Sequence, residues 1–512
     1  MFPARVLPIL TVAWSLVAQV PAPAESKRLT LQDAITTSLQ NNLQVQIAKE
    51  TRTSTVAGIL SAEGAFDWNL SSSLNWGKQD SSTFRSAFAG AAPSRNETSS
   101  WSRNFSAGLN KPFEWGGTFQ VSYNPTYSYS AGKVINGQVD ANGVVIGDRN
   151  FNTLAPYTGT LSATYTQSLL KGFGREVTGS SLIVARLGAK TADFVFQKSI
   201  IDLVATTESA YWDVVFAQRN LENKKIALEL AQKQLKENRI RVEVGTLAPI
   251  EVTSAEAAVA QQEQNIIAAE AQLLNAKDAL IRTLFPNAER PASLETVDTP
   301  TLSHITLQEE DAVKMALSRR VELKSARLDL ESKQVLENAA ANRIKPQLDA
   351  FASYSGLSDN YRGLGSVDGD LFNSRNPGYT VGLTFAYPLL NKSAKGGLAQ
   401  ARAGKRSSEL SLKDQELGIT LEVRTAMRNV EAAEKGVKAA EKTRYFREKD
   451  LEAEQKKFEN GMSTNFLVLS KQNDLDLARS NEVQAQISYA KTVTALEKSV
   501  GNLMEARNLK ME

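Results

Sequence analysis

The chain has 512 residues, of which 42% are hydrophobic and 22% charged, and this is the composition of a folded protein. Its 59 Lys and Arg residues against 56 Asp and Glu residues leave a formal charge of +3, so no basic domain indicates nucleic-acid binding. There is no cysteine and only one histidine, His304, which excludes disulfides, cysteine nucleophiles, iron–sulfur clusters and cysteine-bearing zinc sites. We therefore expect no nucleic-acid partner, no metal and no cofactor.

The first 24 residues have the three parts of a secretory signal peptide. A short basic start is followed by an apolar run from Val6 to Ala18 and by the small residues Ala22-Pro23-Ala24. No later stretch of about 18 apolar residues predicts a transmembrane helix. The sequence therefore predicts an exported chain, cleaved after Ala24, that is either periplasmic or an outer-membrane β-barrel protein.

Two parts of the chain resemble each other when Gly461 is placed on Gly245. Apolar residues recur at seven-residue intervals before both glycines: Val214, Leu221, Leu228, Leu235 and Val242 in the first part, and Val430, Val437, Leu451 and Phe458 in the second. Only Arg444 interrupts the second series. We therefore expect a tandem structural repeat, divided into a signal peptide (1–24), a first repeat (25–285), a linker or equatorial segment (286–306), a second repeat (307–500) and a C-terminal tail (501–512).

Each half is expected to contain a helix, a β segment, a very long helix, a break at glycine and a shorter helix. The long helices, about 176–244 and 396–460, would each span about 100 Å. The shorter helices are about half as long, so that two stacked end to end match one long helix; they are predicted at 29–64, 246–285, 307–345 and 462–500. The seven-residue period indicates coiled-coil packing. A long helical cylinder and an ordinary fibrous coiled coil both fit it.

The segments between the helices alternate apolar residues with small polar ones, which predicts β-strands. Four strands are expected at about 66–77, 157–170, 347–357 and 378–390. A further pair, about 103–111 and 118–130, is either two more barrel strands or an external hairpin. Charged residues lie mainly in the stretches expected to connect the strands, such as 78–103, 133–149 and 359–375.

The strands are interpreted as membrane strands rather than as a soluble sandwich. The strands of a periplasmic β-sandwich would also alternate apolar and polar residues. The signal peptide, the four tryptophans between Trp68 and Trp115, and the length of the flanking helices nevertheless favour a barrel. Lipid tolerates no open sheet edge, and the smallest bacterial barrels have eight strands. The expected fold class is therefore an α+β membrane protein, in which a long α-helical periplasmic barrel joins a β-barrel shared between protomers.

These features resemble the TolC-type outer-membrane efflux and secretion channel family. The resemblance rests on the duplicated order of elements and on three short strings: the repeated Leu-Thr-Leu-Gln opening, Pro388-Leu389-Leu390 with its counterpart Ser168-Leu169-Leu170, and Val244-Gly245-Thr246 followed by Glu251-Val252. It implies a homotrimer in outer-membrane lipid, with four strands per chain in a twelve-stranded barrel and most of the chain in the periplasm. It also implies a passive exit duct and not an enzyme, served by a periplasmic adaptor (membrane fusion) protein and an inner-membrane RND or ABC transporter.

The resemblance further suggests that the two glycine breaks are tips that dock an adaptor. In relatives a Val-Gly-Thr tip meets the adaptor, and Val244, Gly245 and Thr246 match it. The second tip, Asn460-Gly461-Met462, keeps only the glycine. The alternative is that both glycines are simply helix terminators that reach positive φ.

A constriction is also implied near the tips. Relatives carry aspartates on the helix after the second tip, where three chains form an acidic ring, but here the corresponding residues are Leu467 and Ser470. An apolar ring at Leu467 would instead exclude water. Glu251 retains an acid after the first tip, and Asp474 and Asp476 lie further along the second helix. The aperture candidates are therefore Glu251, Leu467, Ser470 and Asp474.

No catalytic set of residues is recognisable. His304 lies in a proline-marked linker without a helix-spaced set of ligands beside it. Gly172-Phe173-Gly174 lacks the next glycine of a dinucleotide fingerprint and is interpreted as a strand-to-helix corner. The alternative to a channel is a periplasmic coiled-coil scaffold or adaptor with soluble β segments.

Overall fold

The computed structural model describes residues 27–85, 94–136, 142, 147, 149–152, 157–286, 294–300, 302, 306–360, 363–373 and 376–509. The expected signal peptide, His304 and the end of the C-terminal tail lie outside these residues. None of the helices within the described ranges is both long enough and apolar enough to cross a membrane.

The chain divides into two compact units. In its described part, the first unit comprises residues up to Ala48, Gln197–Arg320 and residues from Gly418 onward. The second unit comprises Lys49–Phe196 and Val321–Leu417, less the residues that are not described. The predicted tips belong to the first unit, and the long β-strands belong to the second.

The helices follow the predicted order in both halves. The first half contains α1 (Leu31–Asn41), α2 (Leu43–Glu63), a short 3₁₀ turn (Gly64–Phe66), α3 (Arg175–Thr178), α4 (Ser180–Glu243) and α5 (Ile250–Leu284). The second half contains α6 (Glu309–Arg319), α7 (Val321–Asn342), α8 (Leu364–Phe372), α9 (Lys392–Glu459) and α10 (Asn465–Val500), followed by α11 (Leu503–Ala506). With 64 and 68 residues, α4 and α9 are the long helices expected from the sequence.

Both predicted N-terminal helices are broken in two, which corrects the expectation of single helices at 29–64 and 307–345. Asn42 is extended and ends α1, and its side-chain amide donates to the Thr283 carbonyl oxygen at 3.0 Å. Arg320 ends α6 in the same way, with a φ of −57° and a ψ of 125°. Neither residue is a glycine or a proline, so neither break has a strong local sequence signal.

The repeated Leu-Thr-Leu-Gln opening acts as a helix start in the first half. The Thr30 hydroxyl accepts a hydrogen bond from the Asp33 backbone N–H at 3.1 Å, and the Asp33 carboxylate accepts one from the Thr30 backbone N–H at 3.4 Å. This reciprocal capping box satisfies backbone donors that the first turn of a helix leaves unpaired. In the second half, Gln308 occupies the N-cap and forms no side-chain cap.

The core of the first unit surrounds a short parallel sheet. Its strands are β1 (Lys27–Leu29) and β7 (Leu294–Thr296), so part of the predicted linker over 286–306 is a strand. The Tyr211 hydroxyl donates to the Asp298 carboxylate at 2.7 Å, and burial raises the pKa of Tyr211. The buried apolar residues around them come from both halves of the chain: Leu29, Ala34, Tyr211, Trp212, Val214, Val215, Leu280, Ile281, Leu284, Leu294 and Ile487.

Among the described residues of the second unit, the strands form one antiparallel sheet. Its six long strands lie in the order β2 (Asn69–Arg85), β3 (Ser94–Pro112), β4 (Gly117–Asn136), β6 (Tyr157–Ser168), β8 (Gln347–Asn360) and β9 (Pro377–Ala386). The short β5 (Arg149–Asn152) pairs with β4. The segment whose place was left open, 103–130, therefore lies between β2 and β6 in the same sheet as the other strands.

Strands β2 and β3 are longer than predicted. The stretch 78–103 was expected to be a connection, yet Lys78–Arg85 and Ser94–Arg103 continue the β2–β3 ladder. Charges in this part have partners on the sheet surface: Lys78 pairs with Asp80 at 3.0 Å, and Arg95 pairs with Glu97 at 3.1 Å. Because these side chains stand on an exposed sheet surface, the charges do not interrupt the backbone pairing.

Candidate functional site

The first predicted tip is a tight turn between α4 and α5. Gly245 has a φ of +74°, its N–H donates to the Val242 carbonyl at 3.0 Å, and the Thr246 N–H donates to the Arg241 carbonyl at 2.8 Å. This pair of bonds is a Schellman motif, in which a glycine in the left-handed region ends a helix. Gly245 is therefore a helix terminator.

The second tip has the same geometry between α9 and α10. Gly461 has a φ of +73°, its N–H donates to the Phe458 carbonyl at 3.1 Å, and the Met462 N–H donates to the Lys457 carbonyl at 2.8 Å. Next to this turn, the Glu454 carboxylate accepts hydrogen bonds from the Ser463 hydroxyl and from Lys457. These bonds, that of Ser463 most strongly, hold the pKa of Glu454 below its usual value. The two tips therefore share a backbone design and differ in their side chains.

Both turns present free surface within one chain. The side chains of Val244 and Met462 are 67% and 72% exposed, and a Cβ added at Gly245 or Gly461 would meet no atom within 4 Å. A helix terminator with an open surface can also contact another protein. The geometry is thus compatible with adaptor docking, which stays a prediction.

Arg241 ties the two turns together at one end of the first unit. It donates to the Phe458 carbonyl at 3.1 Å, and its guanidinium lies 4.4 Å from the centre of the Phe458 ring. That carbonyl belongs to the last turn of α9, where a cation is favourable because of the helix dipole. An apolar cluster lies behind this contact and consists of Leu247, Leu451, Phe458, Val468 and Leu475.

A buried amide cluster supports the first tip and was not found by sequence reasoning. Asn465 accepts from the Asn238 side-chain amide at 2.8 Å and from Gln234 at 3.3 Å, and it donates to the Glu251 carboxylate at 3.0 Å. Asn238 and Asn465 are fully buried or nearly so. Gln234 and Asn238 are four residues apart on one face of α4, and that spacing of polar residues beside the apolar seam is the signal that could have revealed the cluster.

We predict that Asn465→Ala loosens the first tip. The change leaves Asn238, Gln234 and Glu251 without their shared partner, at a cost of about 1–3 kcal/mol for each buried polar group that stays unsatisfied. Hydrogen exchange of the backbone amides near Gly245 should become faster. The control is Asn473→Ala on the same helix, because Asn473 is exposed and makes a single bond, to Gln262, at 3.3 Å. Equal exchange in the two variants would contradict the supporting role of the cluster.

The aperture candidates lie on α5 and α10, and both of their acids have partners. Glu251 is bonded to Asn465, and Asp474 accepts from Arg447 at 3.1 Å. Ser470 is partly buried, whereas Leu467 is 41% exposed and its neighbour Phe466 is 74% exposed. Within one chain, the most exposed side chain here is therefore the apolar Phe466, which sequence reasoning missed, while Asp474 is exposed to about the same extent as Leu467 but is paired with Arg447.

The charged interruption of the second heptad series is explained by a cross-helix ion pair. The Arg444 guanidinium lies 2.6 Å from the Glu482 carboxylate of α10. Burial raises the pKa of Glu482, and Arg444 opposes this effect. Nearby, Lys471 of α10 pairs with Asp450 of α9 at 2.8 Å, which lowers the pKa of Asp450. The seam between α9 and α10 is therefore joined by ion pairs as well as by apolar packing.

The sheet of the second unit has one apolar and one polar face. The register places apolar residues opposite one another through all six long strands, in the row Leu70, Leu109, Val121, Ala163, Tyr354 and Tyr379. The next row, whose side chains point to the other face, contains only small residues: Ser71, Gly108, Ser122, Ser162, Ser355 and Gly378. This alternation is typical of strands with lipid on one side and water on the other.

Aromatic residues mark two levels on the apolar face. One level includes Phe119 and Tyr165, and the other includes Tyr127 and Tyr157, which the register places opposite each other. The levels are eight residues apart on both β4 and β6, or about 26 Å along a strand. Outer-membrane strands have an apolar band about 25 Å tall between two aromatic girdles. The spacing therefore fits a membrane-facing band.

Helix α8 lies against the same face near the second aromatic level. Val367 and Leu371 are buried there because Gly159 leaves room for them; a Cβ on Gly159 would lie 2.5 Å from Val367. The Tyr123 hydroxyl donates to the Asp368 carboxylate, and Phe372 is exposed at the end of the helix. This short amphipathic helix has no counterpart among the described residues of the first half.

No group of three or more His, Cys, Asp or Glu residues in the described ranges is arranged to hold a metal ion. The functional geometry of this chain consists instead of two exposed helix turns and a two-faced sheet.

Comparison with known proteins gives the family. The family described as "Outer membrane efflux protein" matches residues 156–284 and 312–502, which cover both long helices and three of the six long strands, β6, β8 and β9. The chain belongs to this family. The outer membrane protein TolC of Vibrio cholerae serotype O1 is 24% identical over 326 residues, which are 64% of this chain and 73% of that protein.

Solved structures of outer-membrane proteins share the fold. VceC from Vibrio cholerae is 15% identical and has a TM-score of 0.62, over 92% of this chain and 96% of its own. The MtrE outer membrane channel from Neisseria gonorrhoeae is 16% identical and has a TM-score of 0.61, over 98% of each chain. The TolC-type resemblance and the mixed helical and sheet fold expected from the sequence are therefore confirmed.

Membership of the family also confirms the expected location and class. The chain is an outer-membrane protein with most of its length in the periplasm, and it is a transport protein rather than an enzyme. The tandem duplication and the barrel shared between protomers stay interpretations of the sequence.

Proposed function

We propose that three copies of this chain form a passive outer-membrane exit duct of a tripartite efflux system or a type I secretion system. The observation that carries the proposal is the two-faced sheet, in which one row of apolar residues and the adjacent row of small residues run through all six long strands. A six-stranded sheet with two free edges cannot stand alone in lipid, because every backbone group there must be paired. Copies of the chain complete the wall.

The helices build the periplasmic tunnel of this duct. Exposed apolar side chains on the helices of a single chain, such as Ile267 and Leu274 seven residues apart on α5, need a covering surface. A seven-residue spacing is the pattern of helix-to-helix seams. Neighbouring copies supply that surface in the proposed trimer.

The tips dock a periplasmic adaptor, which connects the duct to an inner-membrane RND or ABC transporter. The exposed Val244-Gly245-Thr246 turn is the better-supported docking element, and Asn460-Gly461-Met462 is its partner. Near them, Leu467 and the neighbouring Phe466 favour an apolar constriction over an acidic one, because Glu251 and Asp474 are already bonded within the chain. An apolar ring resists the passage of ions by excluding water.

Extraction and mass determination test the duct. We expect the protein in the outer-membrane fraction, released by detergent and not by urea, with a mass of three chains after the mass of bound detergent is subtracted. A mutant of α5 with Leu274→Glu should lower the yield of trimer, because it places a charge in the predicted seam, whereas Asn275→Glu, which adds the same charge at an exposed position about a quarter turn away, should lower it less.

Recovery of the protein as a monomer in the osmotic-shock fluid would contradict the proposed duct and would favour the alternative, a periplasmic scaffold. That alternative is not favoured, because the chain belongs to a family of outer-membrane channels.

A further inference from the structure

The β3–β4 hairpin is inserted between two strands that it separates completely. Strand β2 pairs with β3 from Asn69↔Asn110 to Arg85↔Ser94, and β4 pairs with β6 from Gly117↔Gln167 to Tyr127↔Tyr157. Residues in β2 and β6 are therefore three strand spacings apart, or about 14 Å. An external hairpin would instead leave β2 and β6 as neighbours.

The hairpin has the same two faces as the strands beside it. Its apolar residues Leu109 and Val121 continue the apolar row, and its small residues Gly108 and Ser122 continue the polar row. A one-residue slip would turn every side chain of a strand to the wrong face, so this agreement in register is informative. A hairpin outside the wall would have no reason to match lipid on one side and water on the other.

The turn of the hairpin is packed against the strand-to-helix corner of the same unit. Gly116 has a φ of +93°, and a Cβ there would lie 2.2 Å from the Gly172 carbonyl oxygen. The Gly174 N–H donates to the Trp115 carbonyl at 3.2 Å, and Arg175 pairs with Glu114 at 3.0 Å. These contacts place the turn at the same end of the sheet as the start of α3.

The two edges of the sheet suit each other. Among the described residues, β2 pairs only with β3 and β9 pairs only with β8. All neighbouring strands are antiparallel, so the first and sixth strands run in opposite directions. The β9 edge of one copy can therefore continue as an antiparallel pair with the β2 edge of the next, and this head-to-tail contact can repeat until the wall closes.

We propose that the β3–β4 hairpin is part of the barrel wall, so that each chain lends six strands and three copies close a barrel of eighteen. The proposal rests on the shared barrel of the proposed function, and it departs from the four strands per chain that the family resemblance implies. Barrel diameter grows roughly linearly with strand number, so the diameter of an eighteen-stranded barrel is about one and a half times that of a twelve-stranded one. Barrels of 16–18 strands leave an aqueous channel.

Engineered cysteine pairs test the strand order, because the chain has no cysteine of its own. Facing serines provide the positions: the hydroxyl oxygens of Ser73 and Ser106 are 2.8 Å apart across β2–β3, and those of Ser122 and Ser162 are 2.7 Å apart across β4–β6. Directly opposed residues on antiparallel strands have Cα distances that a disulfide can bridge. The variants are Ser73→Cys/Ser106→Cys and Ser122→Cys/Ser162→Cys.

A third and a fourth pair complete the design. Ser100→Cys/Ser130→Cys lies within the hairpin, where the hydroxyl oxygens are 2.8 Å apart, and should be oxidised whether the hairpin lies in the wall or outside it. Ser73→Cys/Ser162→Cys joins β2 and β6 and should be oxidised only if the hairpin lies outside. Oxidised outer membranes are denatured, and free thiols are counted by a mass-tagged maleimide.

We expect loss of both free thiols in the β2–β3, β4–β6 and β3–β4 pairs and retention of both in the β2–β6 pair. The reverse result, with the β2–β6 pair oxidised and the β2–β3 and β4–β6 pairs free, overturns the proposal while leaving the duct intact.

A separate experiment tests whether β9 of one copy pairs with β2 of the next copy. Thr380→Cys on β9 is combined in turn with Ser71→Cys, Ser73→Cys and Asn75→Cys on β2. At one of these three registers, we expect disulfides between neighbouring copies, which give products of two and three covalently linked chains. If the pairs within one chain form but no linked chains appear at any register, the six-stranded wall stands and the shared barrel of the proposed function fails.

Discussion

Replacing Gly245 with valine should reduce export through the assembled system at least tenfold while leaving the yield of trimer unchanged. The added side chain meets no atom of its own chain, so its direct cost is the left-handed backbone strain of about 1–2 kcal/mol. At a docking surface, however, a bulky group that misplaces a central contact costs 2 kcal/mol or more. Export of a fluorescent substrate and co-purification of the adaptor measure the two effects.

The matched control is Gly461→Val at the second tip. Its φ of +73° and its open surroundings impose the same strain, but its flanking residues do not match the Val-Gly-Thr string. We expect a smaller loss of export from this variant. If Gly245→Val exports at the normal rate, docking at the first tip is wrong. If both variants lose trimer equally, the glycines act only as helix terminators.

Replacing Arg507 with alanine should cause the largest loss of stability in the first unit. The Glu208 side chain is 1% exposed, and its carboxylate accepts from Arg507 at 2.6 and 3.0 Å and from the Thr494 hydroxyl at 2.6 Å. Removal of one partner leaves a buried charge without compensation, which typically costs about 3–5 kcal/mol. Hydrogen exchange of α11 and thermal unfolding of the helices measure the loss.

Arg319→Ala provides the comparison. Its guanidinium also pairs with a glutamate near the C-terminus, Glu505, at 2.8 Å, but the two side chains are 40% and 70% exposed. An exposed pair of this kind contributes about 0–1 kcal/mol. Equal losses in the two variants would contradict the role assigned to burial. A double variant, Arg507→Met with Glu208→Met, should recover part of the stability, because apolar side chains can replace a buried pair.

The loss in Arg507→Ala should also depend on pH. Burial raises the pKa of Glu497, and the nearby Arg507 opposes that rise. Without Arg507, the folded state holds the Glu497 proton more tightly than the unfolded chain does, so stability increases as the pH is lowered. We expect the deficit to be smaller at about pH 5 than at about pH 8. A deficit independent of pH would show that Glu497 is not part of the network.

The long helices and the glycine turns were predictable because their signals are local. A seven-residue apolar period and a glycine at its end are sufficient to place α9 and Gly461, since helix formation and termination depend on neighbouring turns. The breaks at Asn42 and Arg320 carry no such signal. The bond from the Asn42 side chain to the Thr283 carbonyl joins positions far apart in the sequence, so it depends on packing.

The candidate site was predictable in part for the same reason. The turns at Gly245 and Gly461 could be located, whereas the amide cluster around Asn465 has only a partial signal, the spacing of Gln234 and Asn238 on α4, because its members come from three helices. Arg444 interrupts the apolar seam of α9, and its partner Glu482 lies on a different helix, α10. Whether a charged residue at an apolar position is stabilised depends on an ion partner that the local sequence pattern does not predict.

The sequence by itself determined the two long helices α4 and α9, the glycine turns and the alternation of the strands, because each depends on interactions within a few residues. Only the tertiary structure decided that β3 and β4 lie between β2 and β6, that Glu208 meets Arg507, and that the two tips lie side by side. The order of strands and the choice of ion partners depend on which distant segments meet, and an alternating pattern fits any neighbour with the same two faces.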